Sequence, residues 1–276
     1  MRRRLERVSL ITLGSAEKKL GYRMIKKRQL TDSGDKLLTL SRKKAIHKAK
    51  QRIFDNIWAK FQEMNTINKH RMGQSFDLLL MVKINSPYII KRITKIQEHL
   101  EKNCAFDPIS TDALHISIRG FNATRKIDYE TFKNRVDIER NITKYIECII
   151  GEYCSFKLKL GSLNSFNFGP FIEVYDYGIL NSIGKKVDSE LSEFVEEDNH
   201  SDDDVQHITL GYYHPLCNLD SIKKILEEKR THKYGKIDVK KISLVKTCWE
   251  NDFYHFRKIA EFTLNRGDKL NPCVTK

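Results

Sequence analysis

No apolar run in this 276-residue chain approaches the roughly 18 to 20 residues a helix needs to cross a bilayer, so no membrane attachment is expected. The six cysteines, at 104, 148, 154, 217, 248 and 273, contain no Cys-x-x-Cys pair, and no secretory signal precedes them. Reduced thiols in an intracellular protein, cytoplasmic or nuclear, are the expectation, with Cys148 and Cys154 as core residues. Cys/His clusters with zinc spacing are also lacking. The acidic tract Glu196-Glu197-Asp198 with Asp202-Asp203-Asp204 lacks the glycine turns that wrap carboxylates around a divalent ion. It reads as a solvated loop rather than a metal site.

The formal charge of +14 is very unevenly placed. Residues 1–74 carry 20 Lys/Arg against 6 Asp/Glu, which accounts for all of the excess. The chain therefore divides into a basic, largely helical extension over 1–74 and an electrically balanced domain over 75–276. Within the extension Ile53, Phe54, Ile57, Trp58, Phe61 and Met64 make an apolar stripe at helical spacing, preceded by the basic stretch Arg42 to Lys50. Two readings of that helix stand: it packs on the body of the same chain, or its basic part holds nucleic-acid phosphates. Arg2-Arg3-Arg4 with Arg7 suits a mitochondrial presequence, but Glu6 and Glu17 argue against one.

The domain carries two related tripeptides, His115-Ile116-Ser117 and His207-Ile208-Thr209, inside the apolar runs Leu114 to Arg119 and Val205 to Tyr213. One His-x-Ser/Thr is an expected accident; two in matching frames are not. Strand alternation puts His115, Ser117 and Arg119 on one face, opposite Leu114, Ile116 and Ile118. The same alternation puts His207, Thr209 and Tyr213 on one face, with Gly211 leaving a gap between them. Imidazole and hydroxyl are then about 6.6 Å apart along the strand, enough to span a phosphate-sized group.

The surroundings of the motifs repeat as well. Phe76 to Val82 reads as a strand, Pro87 opens a helix through Ile90, Ile93, Ile96 and Leu100, the first motif strand follows, and Tyr129 to Ile149 continues at helical period. The second half starts at Phe171 to Tyr175, runs through Ile183, Val187, Leu191 and Phe194, reaches His207, and adds Ile222, Ile225 and Leu226. Strand, helix, histidine strand, helix thus occurs twice, giving one histidine to each of two lobes. Phe156 to Leu160, Ile237 to Val245 and Phe253 to Leu264 are further strands, with a bulge expected at Lys240-Lys241. The other seven histidines lack a partner hydroxyl in a repeated frame and are expected to be ordinary surface or core residues.

On these residues the chain resembles the two-histidine (2H) phosphoesterases, which include the LigT-like RNA 2′,3′-cyclic phosphodiesterases. Their pattern is His-x-Ser/Thr twice, and here the histidines are 92 positions apart. The resemblance covers residues 76–265. It implies an α+β fold of two internally duplicated lobes with antiparallel sheets and flanking helices. It also implies a monomeric, metal-independent phosphodiesterase without cofactor, acting on RNA ends or nucleotides, with 2′,3′-cyclic phosphate as the expected substrate. Catalysis would fall to His115, Ser117, His207 and Thr209, with His207 placed as base. Arg119 is a candidate phosphate ligand, and Tyr213 and Phe121 are candidate stacking partners for a base. A 2′,5′-phosphodiesterase, an RNA 3′-end exonuclease and a non-catalytic RNA-binding module are the alternatives. The extension is expected to contact RNA or another protein.

If the extension meets RNA, deleting residues 1–40 lowers affinity for long RNA and flattens its salt dependence, because fewer counterions are released. A salt titration of binding by both proteins checks this; equal slopes would assign the extension another role.

Overall fold

In the computed structural model, residues 40–67, 78–121, 132–192, 205–250 and 253–265 are described. The basic segment before residue 40 and the acidic tract before the second motif lie outside them. Leu40–Asp268 forms one compact unit. A long helix, α1 (Leu40–Glu63), comes first. The first half continues as β1 (Leu78–Lys83), α2 (Pro87–Asn103), β2 (Phe106–Pro108), β3 (His115–Phe121) and α3 (Phe132–Ile150). After β4 (Phe156–Ser165) the second half runs β5 (Pro170–Tyr175), α4 (Ile179–Leu191), β6 (His207–Thr209), β7 (Gly211–Tyr213) and α5 (Leu219–Arg230). The chain ends in β8 (Gly235–Val239), β9 (Lys241–Glu250) and β10 (Phe253–Thr263).

The strands form two four-stranded sheets, ordered β10-β9-β1-β3 and β6-β5-β4-β8, and a ribbon of β2 with β7. All pairings between these strands are antiparallel. The predicted duplication is present down to register. His115 faces Lys83 and Ser117 faces Met81; His207 faces Glu173 and Thr209 faces Phe171. The residue before each histidine gives its carbonyl to the residue after that partner, Leu114 O to Ile84 N–H at 3.0 Å and Gln206 O to Val174 N–H at 3.2 Å.

One large core unites the two sheets with the helices. Leu80, Val82, Ile116, Leu160, Ile172, Val174 and Ile208 meet Ile93, Leu100, Ile146, Ile183 and Ile222 there. The sheet faces bearing the motifs carry two smaller apolar clusters instead. One is Leu79, Met81 and Val245 with Phe256; the other is Phe54, Phe171 and Tyr175 with Ile57, Phe166 and Val205.

Phe54 and Ile57 belong to α1, so the predicted apolar stripe packs on the body of the same chain, against the sheet that holds His207. Polar contacts pin the helix along its length. Lys50, 6% exposed, donates to Asp176 and Gln206. Asn164 Nδ2 donates to Phe54 O at 2.9 Å, Arg230 lies over the Trp58 ring at 4.4 Å, and Lys223 Nζ donates to Gln62 O and Met64 O at 2.7 Å. Asp176 also accepts from the backbone N–H of Leu180 at 2.8 Å, capping the start of α4, so α1 reinforces the turn that launches that helix.

Three local readings of the sequence change. The break at Lys240 is a change of sheet, not a bulge: β8 pairs with β4, whereas β9 pairs with β1 and β10. Gly211 leaves no gap, since a Cβ there would lie 2.4 Å from Asp107 O, where β7 crosses β2. Cys148 is exposed on α3 and Cys154 half-buried; neither is a core residue.

Removing the Phe54 ring, fully buried between α1 and the second sheet, leaves a cavity. Phe54→Ala is expected to lower the unfolding free energy by about 3–5 kcal/mol in a denaturant titration. A loss below about 1 kcal/mol would mean that α1 does not dock on the body in solution.

Candidate active site

Each histidine opens its strand, and this position sets its orientation. The carbonyl two residues earlier lies outside the strand ladder and is available to the ring. Ala113 O meets His115 Nδ1 at 2.7 Å, and Val205 O meets His207 Nδ1 at 2.8 Å. A carbonyl only accepts, so Nδ1 carries the proton in both rings and Nε2 is the basic nitrogen of each neutral imidazole.

Aromatic edges support the same orientation in both halves. The His115 ring meets Phe256 at 5.0 Å and 82°, and the His207 ring meets Phe166 at 5.0 Å and 76°. Phe171 adds a second contact to His207 at 5.3 Å. None of the three phenylalanines was singled out as a site residue from sequence. Phe256 and Phe166 are far from the motifs along the chain; Phe171 is legible only as the partner of Thr209 once the register is known.

The histidine strands β3 and β6 pack against each other. The two imidazoles sense one another electrostatically. Burial lowers the His115 pKa from 6.5 to about 4; the bond to Ala113 opposes that shift and the His207 charge adds to it. His115 is therefore neutral near pH 7. Of the two hydroxyls, Ser117 is exposed and Thr209 half-buried, each on the same face as its histidine.

The remaining predicted site residues turn elsewhere, for one reason. Strand alternation fails one residue after each hydroxyl. In β3 the register slips so that Met81 faces Ser117 while Leu80 faces Arg119, leaving Ile118 as a bulge. Arg119 and Phe121 then share the face of Leu80 and Leu78, which is the core side. The Arg119 Nε donates to Asp188 of α4 at 2.6 Å, and Phe121 is 2% exposed. In the second half, Leu210 separates β6 from β7 and the chain passes from the sheet to the ribbon. Tyr213 turns inward, 4% exposed, with its hydroxyl 2.8 Å from Ser165 Oγ. Neither ring is available to stack on a base.

Among the described residues no cluster of His, Cys, Asp or Glu is arranged to hold a metal ion, and no helix is long and apolar enough to cross a membrane.

No family model and no curated protein matches this sequence. Solved structures do match in shape. The protein TT0787 of Thermus thermophilus superposes over 69% of this chain and 98% of its own, with a TM-score of 0.52 at 12% identity. The likeness shows a shared fold of two antiparallel sheets with flanking helices. A phosphoesterase and E. coli LigT complexed with 3′-AMP align more loosely, at TM-scores of 0.48 and 0.46. Their identities are 12% and 13%, over 70% of this chain and 100% of each of theirs. At 12% identity the likeness to TT0787 shows the fold alone.

The depressed pKa of His115 links the site to stability. As pH falls below about 6.5 the unfolded chain binds this proton while the folded one does not, so the fold loses stability down to about pH 4. Denaturation midpoints measured between pH 7 and 4 should fall less steeply for His115→Asn than for the unsubstituted protein. Identical slopes would place the His115 pKa near its ordinary value.

Proposed function

We propose that the two histidines hydrolyse a phosphodiester by general acid-base catalysis, with a 2′,3′-cyclic phosphate at an RNA end or on a nucleotide as substrate. The observation that carries this reading is the duplicated anchoring of the two rings. Both present Nε2 as the reactive nitrogen, each beside a hydroxyl on its own strand.

A cyclic diester needs a water deprotonated on one side of phosphorus and a leaving ribose oxygen protonated on the other. His115, neutral because of burial, suits the base. Its Nε2 takes a proton as the water oxygen bonds to phosphorus. His207 in its charged form gives a proton to the 2′ or 3′ oxygen as the P–O bond breaks, leaving a phosphate monoester and a ribose hydroxyl. This reverses the base assignment expected from sequence, and the physical reason is the desolvation of His115. Ser117 and Thr209 donate hydrogen bonds to the non-bridging oxygens, where negative charge grows. No step in this sequence requires a metal ion.

The competing idea of a binding module without catalysis has less support. Binding alone gives no reason to fix both imidazoles in the same tautomer beside paired hydroxyls.

Incubation with a short RNA ending in 2′,3′-cyclic phosphate should yield a terminal monoester, with excess chelator present as well as without. His115→Ala and His207→Ala should each lose about 10²- to 10⁴-fold in kcat. A single variant that keeps more than about a tenth of the activity would rule out the two-histidine mechanism. The acid limb of kcat/KM should fall below pH 6, nearer 4, because the base titrates there and not at 6.5. A limb at 6.5 would take the base role away from His115.

A further inference from the structure

The motif face of the second sheet is only partly open, because α1 lies across it. Where the end of α1 meets the hairpin between β4 and β5, a cavity of about 350 Å³ remains. Ile57, Phe61 and Met64 form its helical wall; Ser165, Phe166 and Asn167 form its floor. Its volume lies at the small end of the range for ligand cavities, about 300–1,000 Å³, which suits one nucleoside better than a longer segment.

One contact ties this cavity to the histidines, and its walls are held in place by others. Phe166 lines the cavity and also meets the His207 ring at 5.0 Å, so a group in the cavity lies one aromatic ring away from the reacting centre. That ring is held in place by stacking on Phe171 at 4.2 Å and on Phe168 at 5.2 Å. The opposite wall is also built in advance. Lys223 holds the backbone of Gln62 and Met64, and Trp58 is covered by Arg230. The lining combines aliphatic side chains and the rim of the Phe166 ring, whose faces are engaged by Phe171 and Phe168, with the Thr66 hydroxyl, the Lys60 side chain and the Asn167 amide, which can donate and accept, polar groups of the kind that meet the edge of a heterocycle.

Building on the phosphodiesterase reading, we propose that this cavity is the nucleobase subsite. It would hold the base of the nucleotide whose cyclic phosphate sits between His115 and His207. The extra helix then has a chemical purpose: it supplies one wall of a base pocket that the two duplicated lobes do not form between themselves. Substrates bearing a base gain over those that lack one, and Asn167 meets the base edge.

Two substitutions fill the cavity from different sides, Ile57→Trp from the wall and Thr66→Trp from the rim. The activity assay compares a nucleoside 2′,3′-cyclic phosphate with the base-free methyl riboside 2′,3′-cyclic phosphate. The ratio of their kcat/KM values should fall about tenfold or more in both variants, because the base loses the volume that holds it. A ratio unchanged in either folded variant overturns the proposal, because lost activity would then reflect damage to the histidines alone. Calorimetry with the nucleoside 2′- and 3′-monophosphates provides an arm independent of turnover. The unsubstituted protein should bind them, and both variants should bind at least tenfold more weakly; equal affinity overturns the subsite. If neither cyclic phosphate is hydrolysed, the catalytic reading fails and the calorimetry still decides the pocket.

Discussion

Each motif histidine depends on a backbone carbonyl that its strand does not use. His115 and His207 are the first residues of their strands, and the carbonyls of Ala113 and Val205 precede the ladder. A histidine one position further into the strand would meet the carbonyl of Leu114 or Gln206, already engaged by Ile84 or Val174, and would lose its anchor. Where each strand begins is set in turn by the preceding bond, Leu114 to Ile84 and Gln206 to Val174. The tautomer of the ring is thus decided by strand pairing, and the pairing is the same in both halves.

The two lobes share this frame but differ in what covers it. Beside His115 the apolar cluster is small, made by Leu79, Met81, Val245 and Phe256. Beside His207 the face is partly covered by α1, through Phe54 and the buried Lys50 with Asp176 and Gln206. Gln206 precedes His207 directly, so α1 braces the segment that aims the ring. A buried lysine with a carboxylate partner is costly to break and adds specificity of position rather than net stability. The helix is therefore part of the second half of the site.

Much of this was legible in the sequence because it follows from short periods. Alternation around His115-Ile116-Ser117 and His207-Ile208-Thr209 gave the paired hydroxyls, and repeated helix spacing gave the two lobes. The helical stripe Ile53 to Met64 foretold a docked α1. What failed was alternation past the hydroxyl. The bulge at Ile118 and the change of partner at Leu210 each reverse the faces downstream, which sent Arg119, Phe121 and Tyr213 to the wrong side. Those breaks are made by pairing with β1 and β2, distant in sequence, and no local pattern records them. The same holds for Phe166 and Phe256, whose contacts to the histidines exist only after the sheets form.

The central claim is that two imidazoles in one tautomer face a common phosphate. Long-range proton-nitrogen NMR of the histidine side chains tests it directly. At pH 7 the signals of His115 and His207 should both show a protonated Nδ1, and both Nε2 resonances should move together when a non-hydrolysable cyclic nucleotide is added. Either ring protonated only at Nε2, or a response confined to one histidine, would contradict the account.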